Sequence, residues 1–244
     1  MSVQGRPYGN YLDLWFGLQD MDLDSIKPRI RASGPYAYLG EYDKARQIVM
    51  DSYANSFDSP EYLIVRGELE VLAGNYEQAI EFFDRARPKL PYGDTELFWS
   101  KSYSAYLSWS RKSSPSLALL YAYRQTGQHD MADEMAALIE REIAARRQKF
   151  DSVGGAGDHQ LLYREAELLA IEGRVDAAIA ALRRWQRFDP EQFNYLKSDP
   201  FLDSLHDEAE FWQIVAEVET GLAKIRQQVK AASPSLKIET APER

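Results

Sequence analysis

Two stretches of the chain read Leu39-Gly40-Glu41-Tyr42-Asp43-Lys44-Ala45-Arg46 and Ala73-Gly74-Asn75-Tyr76-Glu77-Gln78-Ala79-Ile80. Their glycines, tyrosines and alanines are each separated by 34 positions. Shorter copies begin at Thr126 and Glu172, so glycine, an apolar or aromatic residue two positions on, and alanine three further on recur in order four times. A fixed period of this length indicates an array of repeated structural units.

Each copy predicts a helix, a tight turn and an antiparallel helix. The glycine follows an amphipathic stretch and suits the left-handed position just past a helix end, where a Cβ is penalised. The alanine fits a close helix crossing, and apolar residues follow it at helical spacing. We expect a polar residue near the start of each second helix to accept a hydrogen bond from the free N–H groups there. These residues are Glu41, Asn75, Asp130 and Asp176.

With these residues in view, the chain resembles the tetratricopeptide repeat family, and residues 60–91 match best. The matching residues are Leu63, Gly67, Gly74, Tyr76, Ala79, Phe83, Ala86 and Pro91. Arg66 and Glu70 depart from the pattern, because the family usually has a large apolar residue and an aromatic residue there. The resemblance implies an all-α fold, a right-handed α-solenoid of helix hairpins whose first helices line a concave groove.

The spacing of the copies predicts the organisation of the chain. Gly74 and Gly127 are 53 residues apart, which leaves room for an inserted helix, and Gly127 and Gly173 are 46 apart, which fits a lengthened helix and a loop. We expect one solenoid over residues 1–231 and a flexible tail over 232–244. Its parts are repeats at about 24–57, 60–91, 113–150 and 159–190, an extra helix at 95–110 and a capping segment at 192–231.

The segment Tyr195–Phe211 contains Leu, Asp-Pro-Phe, Leu, Asp and Phe in that order. It resembles the ending of tetratricopeptide arrays in bacterial signalling proteins, where such arrays are attached to winged-helix transcriptional activators, adenylate cyclases and protein kinases. The residues agree with a cap, because Asp199-Pro200 suits the start of a short helical turn and Phe211–Val229 an amphipathic helix. This resemblance implies a regulatory or signalling context.

Composition excludes several classes of function. The formal net charge is −9, which disfavours duplex DNA and anionic membranes as partners, and the lack of cysteine excludes disulfides and thiolate chemistry. About 18 consecutive apolar residues would be needed to cross a membrane, and the sequence has no such run. We expect no nucleic-acid binding and no membrane insertion by this region. A cytoplasmic location is the first expectation, and a periplasmic domain of a membrane-anchored regulator is the alternative.

No motif in the sequence predicts catalysis. The glycine-rich loop 153–158 lacks the context of a phosphate-binding loop and is read as a connector. The three histidines are far apart, and acidic pairs such as Glu165 with Glu167 are read as solvated helix faces. We expect a chain that is not an enzyme, with no cofactor and no metal site.

Two further clusters have two interpretations each. Basic residues gather at Arg141, Arg146, Arg147 and Lys149, and again at Arg183, Arg184 and Arg187. They are read as outer helix faces, with an acidic or phosphorylated peptide partner as the alternative. The aromatic residues Trp99, Tyr103, Tyr106 and Trp109 are read as core, or as a contact surface if they are exposed.

The family register predicts a groove that binds a protein or peptide segment. The predicted groove residues are Tyr38, Ile64, Glu68, Val71, Leu117, Tyr121, Arg124, Tyr163, Glu167 and Ile171. Their apolar and tyrosine-rich character favours an extended or helical segment with aromatic anchors. Two alternatives stay open: a small molecule sensed in the solenoid, and a homo-oligomer formed through the helix around Trp99 or through the last helix.

Overall fold

The computed structural model describes residues 33–89, 115–152, 159–187 and 196–232, and their regular structure is entirely helical. The α-helices are α1 (Ser33–Tyr38), α2 (Tyr42–Ser52), α3 (Pro60–Leu72), α4 (Tyr76–Ala86), α5 (Pro115–Gln125), α6 (His129–Ser152), α7 (His159–Ile171), α8 (Val175–Gln186) and α9 (Ala209–Ala232). Short 3₁₀ helices cover Arg87–Lys89 and Pro200–Leu205. The prediction of an all-α protein is confirmed for this part of the chain.

The four repeated turns join the helices into contacting pairs, α1 with α2, α3 with α4, α5 with α6, and α7 with α8. Each turn contains a glycine with φ between 69° and 79°, in the left-handed region where a Cβ is strained. The residue after that glycine donates its N–H to a carbonyl five positions earlier, at 2.8–2.9 Å in all four turns. This pair of features is the Schellman ending of a helix, so the predicted role of the four glycines is confirmed.

The start of each second helix differs from the prediction. The repeat alanines Ala45, Ala79, Ala132 and Ala178 are completely buried, as close helix crossings require. However, the side chains of Glu41 and Asn75 make no capping hydrogen bond, so that prediction is wrong for both. Glu41 pairs with Lys44 instead, and Asn75 donates back to Glu70 at 2.8 Å. Neither residue has the extended backbone that usually lets an N-cap side chain reach the free N–H groups, since ψ is 56° at Glu41 and 64° at Asn75.

Two apolar cores hold the pairs together. The first extends over α1 to α6 and includes Leu161 and Leu168 of α7, while the second joins α7 and α8 to α9. Trp185 of α8 and Phe211 of α9 are completely buried in the second core. Helix α7 contributes to both cores, so it links the two halves of the described structure.

The residues that depart from the tetratricopeptide pattern form a polar cluster within α3. Glu70 is completely buried and accepts hydrogen bonds from Arg46 at 2.7 and 3.0 Å, from Arg66 at 2.8 Å and from Asn75 at 2.8 Å. Arg66 also bonds the Tyr62 hydroxyl at 3.1 Å and lies over the ring of Phe82. Donors from two helices and a turn therefore satisfy the charge of this buried carboxylate.

The C-terminal part follows the prediction closely. Asp199 caps the 3₁₀ helix Pro200–Leu205 by accepting from the Phe201 N–H at 3.0 Å, and Phe201 and Leu205 are buried. Helix α9 follows and packs on α8. The lengthened helix that ends near residue 150 is also found, as α6. The extra helix at 95–110, the connector at 153–158 and most of the tail at 232–244 lie outside the described residues.

Candidate functional site

Most of the predicted groove residues are core residues in the structure. Ile64, Val71, Leu117 and Tyr163 are at most 2% exposed, and the acidic residues Glu68 and Glu167 are buried as well. None of these six buried side chains presents a surface to a partner in this structure. The sequence led us to expect that they would line an open groove. Tyr121, Arg124 and Ile171 are half-buried and reach solvent, while the side chain of Tyr38 lies outside the described part.

A row of half-buried tyrosines crosses three helices beside these positions. It consists of Tyr42 at the start of α2, Tyr76 at the start of α4 and Tyr121 in α5. The rings of Tyr76 and Tyr121 meet edge to face, with their centroids 5.8 Å apart. We call these three residues the tyrosine row. The contact between Tyr76 and Tyr121 joins two consecutive helix pairs through groups that are both apolar and able to hydrogen-bond.

The surroundings of Tyr42 and Tyr121 favour the neutral form of their hydroxyls. Burial raises the pKa of Tyr42 and of Tyr121 above the ordinary phenol value, and the nearby Tyr76 raises both further. Asp203 and Asp199 add to the raised pKa of Tyr121. Because a neutral phenol both donates and accepts, the row offers hydrogen bonds to a peptide backbone without placing a charge there.

The protein's own C-terminal segment lies at the end of the tyrosine row. The Phe201 ring packs against the Tyr121 ring with centroids 5.3 Å apart. Asp199 accepts a hydrogen bond of 2.6 Å from the hydroxyl of Tyr163, and the Ser204 hydroxyl donates to the carbonyl of Ala170 at 2.9 Å. Segment 199–205 therefore covers Tyr163 and one edge of Tyr121, two of the residues predicted for the groove.

Arg124 takes a structural role at the predicted groove. Its guanidinium donates two hydrogen bonds to Glu172, at 2.7 and 3.0 Å, and a third to Asp133 at 2.6 Å. These partners belong to the turn after α7 and to α6, so one side chain ties three elements together. Its charge is balanced inside the protein, so it is a positioning residue rather than an open anchor for an acidic partner.

We also searched the described residues for metal-binding groups, membrane-spanning helices and acidic pairs. No group of three His, Asp or Glu side chains in this part of the chain is arranged to hold a metal ion. Among the helices described, none combines the length and the apolar character required to cross a membrane. Glu165, read from the sequence as part of a solvated acidic pair, accepts from Arg147 and Arg184, and its neighbour Glu167 is buried.

The aromatic contact surface predicted from Trp99, Tyr103, Tyr106 and Trp109 lies outside the described residues. The sequence did not identify Tyr42 and Tyr76 as site residues, because they were assigned only to the turn pattern. Their separation of 34 residues was the available signal, since equivalent positions in stacked pairs fall on the same side of the array.

Comparison with known proteins gives no relative from which a function could be transferred. No model of a known protein family matches the chain, and no curated protein matches it either. Any functional assignment must therefore be argued from the residues themselves.

Proposed function

We propose that the helix pairs form a right-handed α-solenoid of the tetratricopeptide type, closed at its C-terminal end by segment 199–205 and α9. The proposal is supported by the period of 34, by the four identical glycine turns and by the contacts that link α3 and α4 to α5, and α6 to α7. In such an array each pair buries its apolar face on its neighbours, which fits two cores that share α7.

On this fold, the chain acts as a non-catalytic module that binds a segment of a partner protein at the tyrosine row. The contact of Phe201 with Tyr121, beside the Tyr76–Tyr121 pair, is the observation that carries the proposal. It is an example within the chain of a segment bound by an aromatic residue on this side of the helices. Tyrosines are frequent anchors at protein interfaces because they bury a large ring with few rotatable bonds.

The bound partner segment would use the same chemistry as segment 199–205. An aromatic side chain would pack against the exposed part of the row, and backbone groups would hydrogen-bond the neutral hydroxyls. The regulatory context is a bacterial signalling or transcription-regulatory protein, with a cytoplasmic location as the simplest arrangement. Its support is the resemblance of Tyr195–Phe211 to the ending of such arrays.

Selection of a displayed peptide library on the immobilised protein tests this proposal. We expect enriched peptides to contain an aromatic residue and to bind Tyr121→Ala about tenfold or more weakly than the unmodified protein, as for an interface anchor. Tyr121→Phe keeps the ring contacts, and we expect it to lose a smaller factor. Phe57→Ala removes an exposed aromatic ring outside the row and serves as the matched control.

Circular dichroism melting establishes that each variant is folded before its affinity is compared. The proposal fails if no peptide is enriched. It also fails if Phe57→Ala weakens binding as much as Tyr121→Ala does, because the ring at position 121 then has no special role.

A further inference from the structure

The structure brings together two basic clusters that are far apart in the sequence. Arg147 of α6 and Arg184 of α8 both donate to the same oxygen, Oε2 of Glu165 in α7, at 2.7 and 3.2 Å. Because both Nη2 atoms bond the same oxygen, they are at most about 6 Å apart, which is the sum of the two hydrogen-bond distances. Helix α7 contacts α8 along its length and also contacts α6, which brings the two arginines to one place.

The two guanidiniums are held in place but stay accessible. Glu165 is only 17% exposed, whereas the side chains of Arg147 and Arg184 are 45% and 49% exposed. A guanidinium has five N–H donors, so a single hydrogen bond to Glu165 leaves most of its donors facing outward. The carboxylate fixes the side-chain conformations in advance, which reduces the entropy lost when a ligand binds.

A third arginine extends this charge. Arg187 is exposed and directly follows the last residue of α8, three residues after Arg184, so it lies about one helical turn further along the same side. Arg183, by contrast, points to α9, where it bonds Glu210 at 3.3 Å and Glu217 at 2.8 Å. We call Arg147, Arg184 and Arg187 the basic stripe.

The basic stripe has a net positive charge in a protein of net charge −9. Three arginines stand against the single carboxylate of Glu165, which leaves an excess of two charges. The net negative charge of the protein repels anions in general, so the local excess of positive charge at the basic stripe favours an acidic ligand there. The arginines form an open line along two helices, which suits an extended segment with several carboxylates better than one enclosed phosphate group.

We propose that the basic stripe of Arg147, Arg184 and Arg187 is a second interaction surface that binds an acidic segment, rich in Asp and Glu, of a partner protein. This surface is separate from the tyrosine row, and it does not depend on the function proposed for that row. Its donors belong to α6, to α8 and to the residue that follows α8, whereas the row is built from α2, α4 and α5.

Fluorescence anisotropy with a labelled oligoglutamate peptide tests the proposal on the full chain. At about 50 mM salt we expect saturable binding that weakens strongly at about 500 mM, because exposed charges are screened. Replacing Arg147 and Arg184 with glutamine together should weaken binding about tenfold or more, as close charge pairs at interfaces do.

The double variant Arg85→Gln, Arg174→Gln is the matched control. Both residues are exposed to a similar degree, 56% and 57%, and each is paired with one carboxylate, Asp58 and Glu140 respectively. The control removes the same charge and should change the affinity less than about twofold, since it leaves the basic stripe intact.

Three results would overturn the proposal. They are the absence of binding by the unmodified protein, an equal loss in both double variants, and tighter binding of a phosphoserine peptide or an oligonucleotide of equal charge. The last result would show that the basic stripe recognises phosphate. Failure of the library selection at the tyrosine row would leave this test unaffected, because the stripe variants lie on other helices.

Discussion

Glu70 has an unusual environment for a charged residue, because it is completely buried and yet ionised. Burial by itself raises the pKa of its carboxyl group, but the hydrogen bonds from Arg46, Asn75 and Arg66 together lower the pKa below the ordinary value. Removing one member of such a cluster leaves the other charges buried without compensation. The cluster therefore stabilises the folded chain only while Glu70 is ionised.

Glu70→Gln should lower the free energy of unfolding at pH 7 by roughly 3 kcal/mol, the lower end of the range for breaking a buried pair, because Arg46 is partly solvated. A carboxyl whose pKa is depressed in the folded state stabilises above its unfolded pKa, and this stability is lost as the pH falls through the folded value. Urea titrations should therefore show a shallower loss of stability below about pH 4 in Glu70→Gln than in the unmodified protein.

Glu77→Gln is the control for this experiment, because Glu77 is exposed in the neighbouring helix α4. If both variants have the same stability and the same dependence on pH, Glu70 is not the ionised centre of the cluster.

Gly67 is required by packing rather than by backbone conformation. A Cβ at this position would lie 2.8 Å from a ring carbon of Phe83, which is itself buried. Gly67→Ala should therefore lower stability by about 1–3 kcal/mol despite the better helix propensity of alanine. A Cβ at Gly221 in α9 would have no atom within 4 Å. Gly221→Ala should therefore raise the free energy of unfolding by up to about 1 kcal/mol.

Thermal unfolding of Gly67→Ala, Phe83→Leu and the double variant checks the cause. The leucine at position 83 is smaller than phenylalanine and should relieve part of the clash that Gly67→Ala creates. The double variant should therefore lose less stability than the sum of the two single variants. Additive losses would show that the close contact with Phe83 is not the reason for the glycine.

At the scale of elements, the carboxylate of Asp199 contributes to the link between segment 199–205 and α7, beside the hydrogen bond from Ser204 to the Ala170 carbonyl. Asp199 caps the 3₁₀ helix and also accepts from Tyr163. Loss of a cap costs about 1–2 kcal/mol, and we expect Asp199→Ala to lose at least that much. Because Tyr163→Phe removes the other half of the same contact, the double variant should lose less than the sum of the single variants.

Ser59→Ala provides the matched comparison, since Ser59 caps α3 by accepting from the Tyr62 N–H at 3.2 Å. Chemical denaturation should show additivity between Ser59→Ala and Tyr163→Phe. If Asp199→Ala and Tyr163→Phe are also additive, the segment does not depend on this hydrogen bond.

The elements that the sequence predicted are those governed by local rules. A glycine just past a helix end, a buried alanine at a crossing and a proline after Asp199 are each decided by a few adjacent residues, and all were found. The expected caps at Glu41 and Asn75 were not found, because neither residue has the extended backbone of a normal N-cap: ψ is 56° and 64° there, against 147° at Ser59, which does cap α3. Their side chains bind Lys44 and Glu70 instead, which are three and five residues away.

At the scale of the whole molecule, burial depends on contacts between residues far apart in the chain. Tyr163 is buried against Asp199, 36 residues away, and Arg124 is held by Glu172, 48 residues away. The repeat pattern describes one pair and its neighbour, so it could not indicate which groove positions the C-terminal segment covers. For the same reason it could not show that Arg147 and Arg184 share one carboxylate.

The tyrosine row arises at this same scale. No single helix pair contains it, because its three tyrosines belong to α2, α4 and α5, and the Tyr76–Tyr121 contact forms only when α4 lies beside α5. A partner segment bound along it would contact several repeats at once, which is how stacked helix pairs offer an extended surface.

Amide hydrogen exchange with and without a peptide selected on the protein tests this central claim most directly. Binding at the tyrosine row should slow exchange at the start of α4, along α5 and in segment 199–205, because a ligand there suppresses local opening. Helix α6 beyond residue 140 should exchange at an unchanged rate. Slowed exchange confined to α6, α8 or α9, with none at α4 and α5, would contradict the account.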